Sequence, residues 1–359
     1  MSPVDSGPAG KVTISDLARR LGISKASVSY ALNGQPGVSE STRARVLALA
    51  GELGWYPSSS ARALSQSRTE AVGIVLYRDP EQIGEEPFYM SVLAGIEAVL
   101  GAHDMNLLLR IMDPRTVAGP QRRDLAVYER WAGEGRVDGI ILFDLVRDDP
   151  RPAVLDRFRM PYVRLGAGID TPPGPRNSNL TVSQALGAAT VVDALHERGH
   201  RRIAFVSGPV GLVHEEVKTA EILAHAARLG MTVALSSSDY SADDGGLATI
   251  ALMAGLVPGA PEFPTAIIYG NDLMAIGGLQ ALGRLNLSVP GQVSVVSWDD
   301  SILCRLSSPG IAAIARNVPE LGRNSAQLLL ELIAGHAPRN LEAAPGVLSV
   351  RESLGRNTF

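Results

Sequence analysis

Apolar residues recur at helical spacing in the first 57 positions, which predicts three short helices. Their expected ranges are 15–21, 25–32 and 40–53. Gly22 suits the end of the first helix, and Ser24 and Ser39 suit the caps of the next two. The tight turn at Gly22 forces the first two helices to pack together, so the opposite side of the second helix must face outward. That outward side carries Lys25, Ala26, Ser27 and Tyr30.

From residue 71 onward, short apolar runs alternate with amphipathic helical segments. The runs predict buried strands at 71–76, 106–112, 139–143, 162–165, 202–206, 265–269 and 293–297. Continuous apolar strands alternating with helices are typical of parallel sheets covered on both faces. A Pro/Gly-rich stretch at 166–175 interrupts the alternation and predicts two lobes. Ligands of such folds bind beyond the carboxyl ends of the strands, here in a cleft between the lobes.

The charge distribution separates the two parts of the chain. Residues 1–68 carry eight Lys and Arg against four acidic residues, whereas the whole chain has a net charge of −4. A basic helical unit joined to an acidic body is expected where one part alone contacts phosphates. A short helix pair with an exposed second helix can place that helix in the DNA major groove.

Several other functions are disfavoured. The chain has no apolar run of about 18 residues and no apolar core near its start, so neither a membrane span nor secretion is expected. Its single cysteine, Cys304, excludes a disulfide within the chain, which fits a reducing cytoplasm, and is interpreted as a buried apolar residue. We therefore expect a cytoplasmic, nucleoid-associated protein.

One segment matches a metalloprotease motif in form. Residues 196–200 read His-Glu-Arg-Gly-His, but Gly199 suits the residue just after a helix, and a strand begins at once. His200 would then lie outside the helix, and two histidines leave a zinc site short of ligands. We expect no metal, no cofactor and no enzymatic activity.

The segments VSYALNG, VSESTRARVLALAGELGWYP and ARAL follow the helix pair in order. The core continues with EPFYMSVLAGIE, RVDGIILF, HERGHRRIAFVSGP, YGNDLMAIGGLQAL, VPGQVSVVSWDDS and VRES. Across residues 12–353 this order resembles the LacI/GalR family of bacterial transcriptional regulators, the lactose, galactose and purine repressor type. The resemblance implies a helix-turn-helix headpiece on a two-lobed core like that of periplasmic binding proteins.

The resemblance also implies roles in DNA binding. Bases would be read by Lys25, Ala26 and Tyr30, and phosphates contacted by Thr13, Ser24, Ser27, Asn33 and Ser39. Residues 58–64 match the hinge helix, with Ala61, Arg62 and Leu64 at the DNA and Leu64 as the minor-groove wedge. The family most often has Arg where this chain has Tyr30, and because Tyr cannot make the bidentate guanine contact, the outer operator bases are expected to differ. Ser58 replaces the more usual Asn, a conservative exchange between helix-capping residues.

The domain boundaries follow from the same resemblance. They are 1–57 for the headpiece, 58–69 for the hinge helix and linker, and 70–359 for the core. The first lobe would comprise about 70–168 and 300–318, and the second about 175–297 and 319–350. Two headpieces on double-stranded, pseudo-palindromic operator DNA require a homodimer, expected to form through the first lobe.

A small-molecule effector, of the carbohydrate class, would occupy the cleft. Its contacts are expected from Phe88, Tyr89, Lys218, Tyr240, Asp272 and Trp298. Aromatic faces cover the apolar side of a sugar ring, and carboxylates accept from its hydroxyls. Trp298 and Asp299 are expected where the chain crosses between the lobes.

Several usual ligand groups are replaced, at Gly166, Ser183, Gln184, Lys218 and Glu221. Lys218 could pair with Glu221 three residues later instead of contacting a ligand. The alternative function is therefore a regulator with a degenerate cleft that responds to a partner protein or to no effector. A transport receptor is a further alternative, against which the headpiece and the missing secretion signal argue.

Overall fold

The computed structural model describes residues 12–56, 68–113, 124–169 and 171–359. The chain divides into two compact units, Met1–Thr69 and Glu70–Phe359. Thirteen helices and twelve strands lie in these described ranges. Within the same ranges, no helix is both long enough and apolar enough to cross a membrane.

The first unit contains the three expected helices, α1 (Ile14–Leu21), α2 (Lys25–Leu32) and α3 (Glu40–Glu52). α1 begins one residue earlier than predicted because Thr13 forms a capping box with Asp16: each side chain accepts a hydrogen bond from the other residue's backbone N–H. Gly22 follows α1 with φ 68°, a left-handed conformation that glycine adopts without strain. The helices enclose a small core of Leu17, Ala18, Val28, Ala31, Val46 and Ala50.

The second unit has two lobes, each built on a six-stranded sheet. The first-lobe strands are β1 (Ala71–Tyr77), β2 (Asn106–Met112), β3 (Gly139–Leu142), β4 (Tyr162–Gly166), β5 (Asn177–Thr181) and β11 (Asn340–Glu342). They are all parallel, in the order β11-β5-β4-β3-β1-β2. The second-lobe strands are β6 (Arg202–Ser207), β7 (Thr232–Ser237), β8 (Ala266–Tyr269), β9 (Ser294–Ser297), β10 (Ala312–Ala315) and β12 (Val347–Ser349). Their order is β12-β10-β9-β8-β6-β7, with β12 alone antiparallel to its neighbour.

Helices cover both faces of each sheet, which confirms the predicted fold class. The first lobe contains α4 (Pro80–Glu85), α5 (Pro87–Gly101), α6 (Asp124–Gly133), α7 (Arg151–Arg157) and α13 (Val318–Ile333). The second contains α8 (Gln184–Glu197), α9 (Val213–Arg228), α10 (Ala242–Met253), α11 (Asp272–Arg284) and α12 (Ile302–Leu306).

The lobe boundaries predicted from the sequence are wrong at the carboxyl half of the chain. Residues 177–181 form a strand of the first sheet, and α13 packs on that sheet and on α5. Residues 302–315 belong instead to the second lobe, through α12 and β10. The chain crosses between lobes after β5, after β10 and after β11, because each sheet is completed by segments distant in sequence.

Strand β5 escaped prediction because its sequence, NSNLT, is mostly polar. Its asparagines are nevertheless buried, and their amides bond to one another and to β11. Asn177 Nδ2 donates to Asn179 Oδ1 at 3.1 Å, and Asn179 Nδ2 donates to Asn340 Oδ1 at 2.7 Å. Mutual satisfaction of polar groups permits burial that an apolar pattern does not reveal.

Candidate DNA-reading face and effector cleft

Helix α2 presents the predicted base-reading residues to solvent. Lys25 and Ala26 are exposed, and the Tyr30 side chain is 42% exposed. The Tyr30 ring lies against the loop before α3, where an added Cβ on Gly37 would be 3.2 Å from Tyr30 Cδ2. Gly37 therefore leaves room for the tyrosine. A phenol offers one hydroxyl and a ring face to the bases but not the two-pronged contact of a guanidinium.

The predicted phosphate-contacting residues lie around the same helix and share a structural role. Ser24 Oγ and Ser39 Oγ accept from backbone N–H groups at the starts of α2 and α3. Each hydroxyl also lies within hydrogen-bond distance of a neighbouring hydroxyl, and either oxygen of such a pair can be the donor. Thr13 differs, because its hydroxyl donates to the Asp16 carboxylate at 2.7 Å. Ser27 Oγ lies 2.9 Å from Ser24 Oγ, and Asn33 Nδ2 donates to Ser29 Oγ at 3.3 Å.

The hinge residues Ser58, Ala61, Arg62 and Leu64 lie outside the described residues. Their predicted roles therefore stay predictions.

Between the two lobes of the core, beyond the carboxyl ends of their strands, lies a cavity of about 690 Å³, part of it open to solvent. Five of the six predicted effector-contacting residues line it, namely Phe88, Tyr89, Lys218, Tyr240 and Trp298.

The first-lobe wall is organised around the Asp144 carboxylate, which follows β3. Arg78 donates to it twice, at 2.8 and 3.0 Å, and Tyr89 Oη donates at 2.6 Å. Burial by itself would raise the pKa of Asp144, but the Arg78 guanidinium holds it well below its usual value. The same guanidinium lies 4.7 Å from the ring centre of Tyr240 in the other lobe and 5.7 Å from that of Tyr89. This wall thus stabilises a cation between two aromatic rings.

The second-lobe wall is organised around Glu215 on α9. Its carboxylate forms an ion pair with Lys218, accepts from Tyr240 Oη at 2.7 Å and accepts from Gly208 N at 2.9 Å. Although burial raises the pKa of Glu215, Lys218 and the nearby His214 hold it at about 2. His214 Nε2 lies 2.8 Å from Tyr240 Oη, and burial lowers the pKa of this histidine.

Trp298 and Asp299 complete the cavity, close to one of the three crossings. Trp298 Nε1 donates to Gln184 Oε1 at 3.1 Å, and Lys218 Nζ lies 5.1 Å from the tryptophan ring centre. Asp299 forms an ion pair with Arg316, at the crossing after β10. Three cations of the cavity wall are therefore each paired with a carboxylate of the wall.

The sequence did not identify Arg78, Glu86, Asp144, Glu215 or Arg316 as cleft residues. Arg78 directly follows β1, and Asp144 is the second residue after β3. Ligand sites of parallel sheets form at these strand ends, so the positions of both residues could have predicted their place in the cleft. Glu86 precedes the proline that opens α5, and neither pattern nor spacing marks it.

One prediction about a side chain, that for Asp272, and one alternative, that for Lys218, are corrected. Asp272 is not among the residues that line the cavity: it is buried, it accepts from Leu273 N at 2.8 Å, and burial with nearby Asp299 raises its pKa to about 6. Lys218 pairs with Glu215, three residues before it, and not with Glu221. The place of Asp272 and the partner of Lys218 depend on which side of each helix faces the cavity, and local spacing does not determine that side.

The two histidines of the 196–200 segment do not lie on one helix face. α8 ends at Glu197, and Gly199 has φ 87°, so His200 lies outside the helix as predicted. The His200 nitrogens are bonded to Thr265 Oγ1 at 2.8 Å and Gly355 O at 3.2 Å. Cys304 is buried as predicted, and burial raises the pKa of its thiol to about 12, which makes it unreactive.

Comparisons with known proteins match both units. Residues 13–58 match a family described as bacterial regulatory proteins, lacI family, and residues 192–354 match a periplasmic binding protein-like domain. The HTH-type transcriptional regulator CelR of Thermobifida fusca is 30% identical over 346 residues, which cover 95% of this chain and 98% of CelR.

Solved structures agree with these matches. A complex of the transcriptional regulator CelR with cellobiose superposes with a TM-score of 0.69 at 28% identity, over 96% of this chain and 100% of that one. The lac repressor dimer bound to operator and an anti-inducer superposes with a TM-score of 0.79 at 24% identity, over 95% and 98% of the two chains, and supports the fold.

Proposed function

Because the chain belongs to the LacI family of bacterial regulatory proteins, we propose that it represses transcription by binding a pseudo-palindromic operator as a homodimer. It is a DNA-binding transcriptional regulator, as its relatives are, and not an enzyme. The observation that carries the proposal is the exposed face of α2, on a basic three-helix unit joined to a two-lobed core with a cleft. A cytoplasmic, nucleoid-associated location fits this function.

The DNA would be read in two ways. Lys25, Ala26 and Tyr30 contact base edges in the major groove, while the hydroxyl and amide groups around them hold the helix in register on phosphates. The segment 58–69 connects this headpiece, residues 1–57, to the core, and Leu64 enters the minor groove at the operator centre. Since Tyr30 cannot grip guanine with two parallel hydrogen bonds, we expect the outer bases of each half-site to differ from those read by an arginine.

The effector would bind in the cleft and change the affinity for the operator. Carbohydrates fit its chemistry, because the rings of Phe88, Tyr240 and Trp298 offer apolar faces beside several carboxylates. Contacts between the lobes, such as the hydrogen bond from Val213 N to Leu145 O at 2.9 Å, would depend on how far the cleft is closed. An effector that prefers one degree of closure shifts the population of operator-binding dimers.

A second candidate function is favoured by one observation. Three ion pairs within the cavity wall already neutralise the charges of Arg78, Lys218 and Arg316 without a ligand. A cleft that satisfies its own charges suits a regulator that responds to a partner protein or to no effector. The two functions differ in whether a small molecule stabilises the core.

The operator is to be selected with the full-length protein from a pool of randomised duplexes and tested for two-fold symmetry. Sugars are then added to the purified complex, with DNA binding and thermal unfolding followed together. A sugar that raises the unfolding temperature and changes operator affinity supports the first function. Failure of a broad sugar panel in both measurements, with operator binding intact, supports the second; failure to enrich any sequence contradicts both.

Replacing Lys25 with Ala is expected to weaken operator binding by about 1–3 kcal/mol, roughly 5- to 150-fold, and to relax selectivity at one base position. Binding to random DNA should change far less, because a base contact is lost and not a phosphate contact. The comparison variant is Arg62→Ala in the hinge. It is expected to weaken binding to operator and to random DNA alike and to lower the salt dependence of the binding affinity. Equal losses on operator and random DNA for Lys25→Ala would refute its base-reading role.

A further inference from the structure

Glu86 is the one cleft carboxylate for which the described chain supplies no partner. The residue is 7% exposed and lines the cavity. It stands at the N-cap position of α5, yet its carboxyl makes no capping hydrogen bond, and no hydrogen bond or ion pair joins it to any other residue in the described ranges. Its carboxyl oxygens nevertheless keep access to the cavity, where they are available to a ligand.

The charges around Glu86 are already engaged elsewhere. Arg78 is held by Asp144 through two hydrogen bonds, and the more distant cations Lys218 and Arg316 pair with Glu215 and Asp299. The groups that act on the Glu86 carboxyl are the cation Arg78 and the acids Asp144, Asp299 and Asp272. The cavity wall therefore has one more acidic group than it has cations.

The aromatic rings of the cavity wall already stabilise cations of the wall. The Arg78 guanidinium already lies between the rings of Tyr89 and Tyr240, and the Lys218 ammonium lies over Trp298. Positive charge is thus stabilised on both walls by ring faces as well as by carboxylates. A fourth positive group, brought in by a ligand next to Glu86, would match the fourth acidic group of the wall.

We propose that Glu86 selects an effector that carries a protonated amine, of the amino-sugar class, by forming an ion pair with that amine in the cleft. The inference rests on the proposed function, because it specifies the ligand of the same cavity. Beside a neutral sugar the Glu86 carboxyl gains no counter-charge that would favour its ionised form, whereas an ammonium group favours the carboxylate and donates charge-assisted hydrogen bonds to it.

Binding of an amine at Glu86 must also move a proton. Burial, and secondarily the neighbouring acids, raise the pKa of Glu86 to about 8, so the carboxyl of the ligand-free cleft is mostly protonated at pH 7. An ammonium group stabilises the ionised form, so binding must release close to one proton from Glu86. For the same reason, affinity for the amine should increase from pH 6 to pH 7.

The experiment is isothermal titration calorimetry on the full-length protein with two matched pairs of probes. The pairs are D-glucosamine with D-glucose, and the β-1,4-linked glucosamine dimer with cellobiose. In at least one pair, the amine is expected to bind the wild type about tenfold or more tightly than its parent sugar. Titrations at pH 7 in buffers of different ionisation enthalpy should report about one proton released per amine bound.

Glu86→Gln is expected to remove the amine preference, to within about twofold, and the proton release. Glu85→Gln, a change at the exposed neighbouring residue, should leave both as in the wild type. Should the Gln variant fail to fold, the wild-type preference and proton count decide alone. Equal binding of amine and parent sugar, or binding of cellobiose or glucose only, overturns the inference and leaves the proposed function standing. Binding of none of the four probes also overturns it, while operator binding is measured separately on DNA.

Discussion

Replacing Lys218 with Met is expected to destabilise the core by about 3–5 kcal/mol, because it leaves a buried carboxylate without its counter-charge. Lys218 and Glu215 are each 3% exposed and form an ion pair within one helix, α9. Methionine has a similar length, so the loss reports charge more than packing. The measurement is the free energy of unfolding from urea denaturation at pH 7, followed by a probe in the core.

Two controls distinguish the loss of a buried ion pair from the loss of any ion pair. Arg157→Met breaks the exposed pair with Glu129, whose partners are 61% and 45% exposed, and should cost no more than about 1 kcal/mol. Adding Glu215→Gln to Lys218→Met removes the uncompensated charge and should restore most of the lost stability. A Lys218→Met effect as small as that of Arg157→Met would contradict the role given to this pair.

The effect of Lys218→Met should also depend on pH. Glu215 has a folded-state pKa of about 2 against an ordinary 4.5, so its ionised form stabilises the protein above about pH 4.5. That stabilisation is lost as the pH falls from 4.5 toward 2, where the carboxyl becomes protonated. The stability difference between the wild type and the variant is therefore expected to narrow across this window.

Replacing Gly95 with Ala is expected to cost about 3 kcal/mol or more, despite the higher helix propensity of alanine. Gly95 lies within α5, where α13 crosses it, and an added Cβ would be 1.9 Å from the Pro319 carbonyl oxygen. Gly322 on α13 is equally close to α5, since its Cβ would be 2.1 Å from Val92 O. These clashes involve backbone atoms of both helices, so the helices must separate to relieve them.

Gly101→Ala is the matched control for the crossing. Gly101 ends the same helix, and nothing lies within 4 Å of the position that an added Cβ would take. We expect it to change the free energy of unfolding by less than about 1 kcal/mol, with stabilisation the more natural direction. Unfolding of the core in urea measures both variants. Similar stability of the two would show that α13 does not pack closely against α5.

Local patterns were sufficient for much of this protein. The three headpiece helices could be predicted because each is specified by its own caps and apolar spacing, within about ten residues. The outward face of α2, with Lys25 and Tyr30, followed from the same spacing. The apolar strands β1, β3 and β6 could be predicted because parallel strands buried on both faces have continuous apolar sequences.

The polar strand β5 and the edge strand β7 could not be found in this way. β5 is buried through amide hydrogen bonds to a strand about 160 residues away, and β7 is largely exposed at the sheet edge. The burial of β5 and the pairing of β7 depend on residues distant in sequence, which a short stretch of sequence does not contain.

The sequence by itself determined the family, the fold class and five aromatic or basic residues of the cleft, because these depend on ordered motifs and local spacing. Tertiary structure alone decided which lobe α13 completes, which partner Lys218 takes and that Asp272 turns away from the cavity. It also decided that the Glu86 carboxyl has no hydrogen-bond or ion-pair partner within the described part of the chain. The place of α13 is set by contacts between segments far apart in the chain, and the partners of Lys218 and Asp272 by which side of each helix faces the cavity. An apolar pattern predicts that a residue is buried but not which residues it packs against.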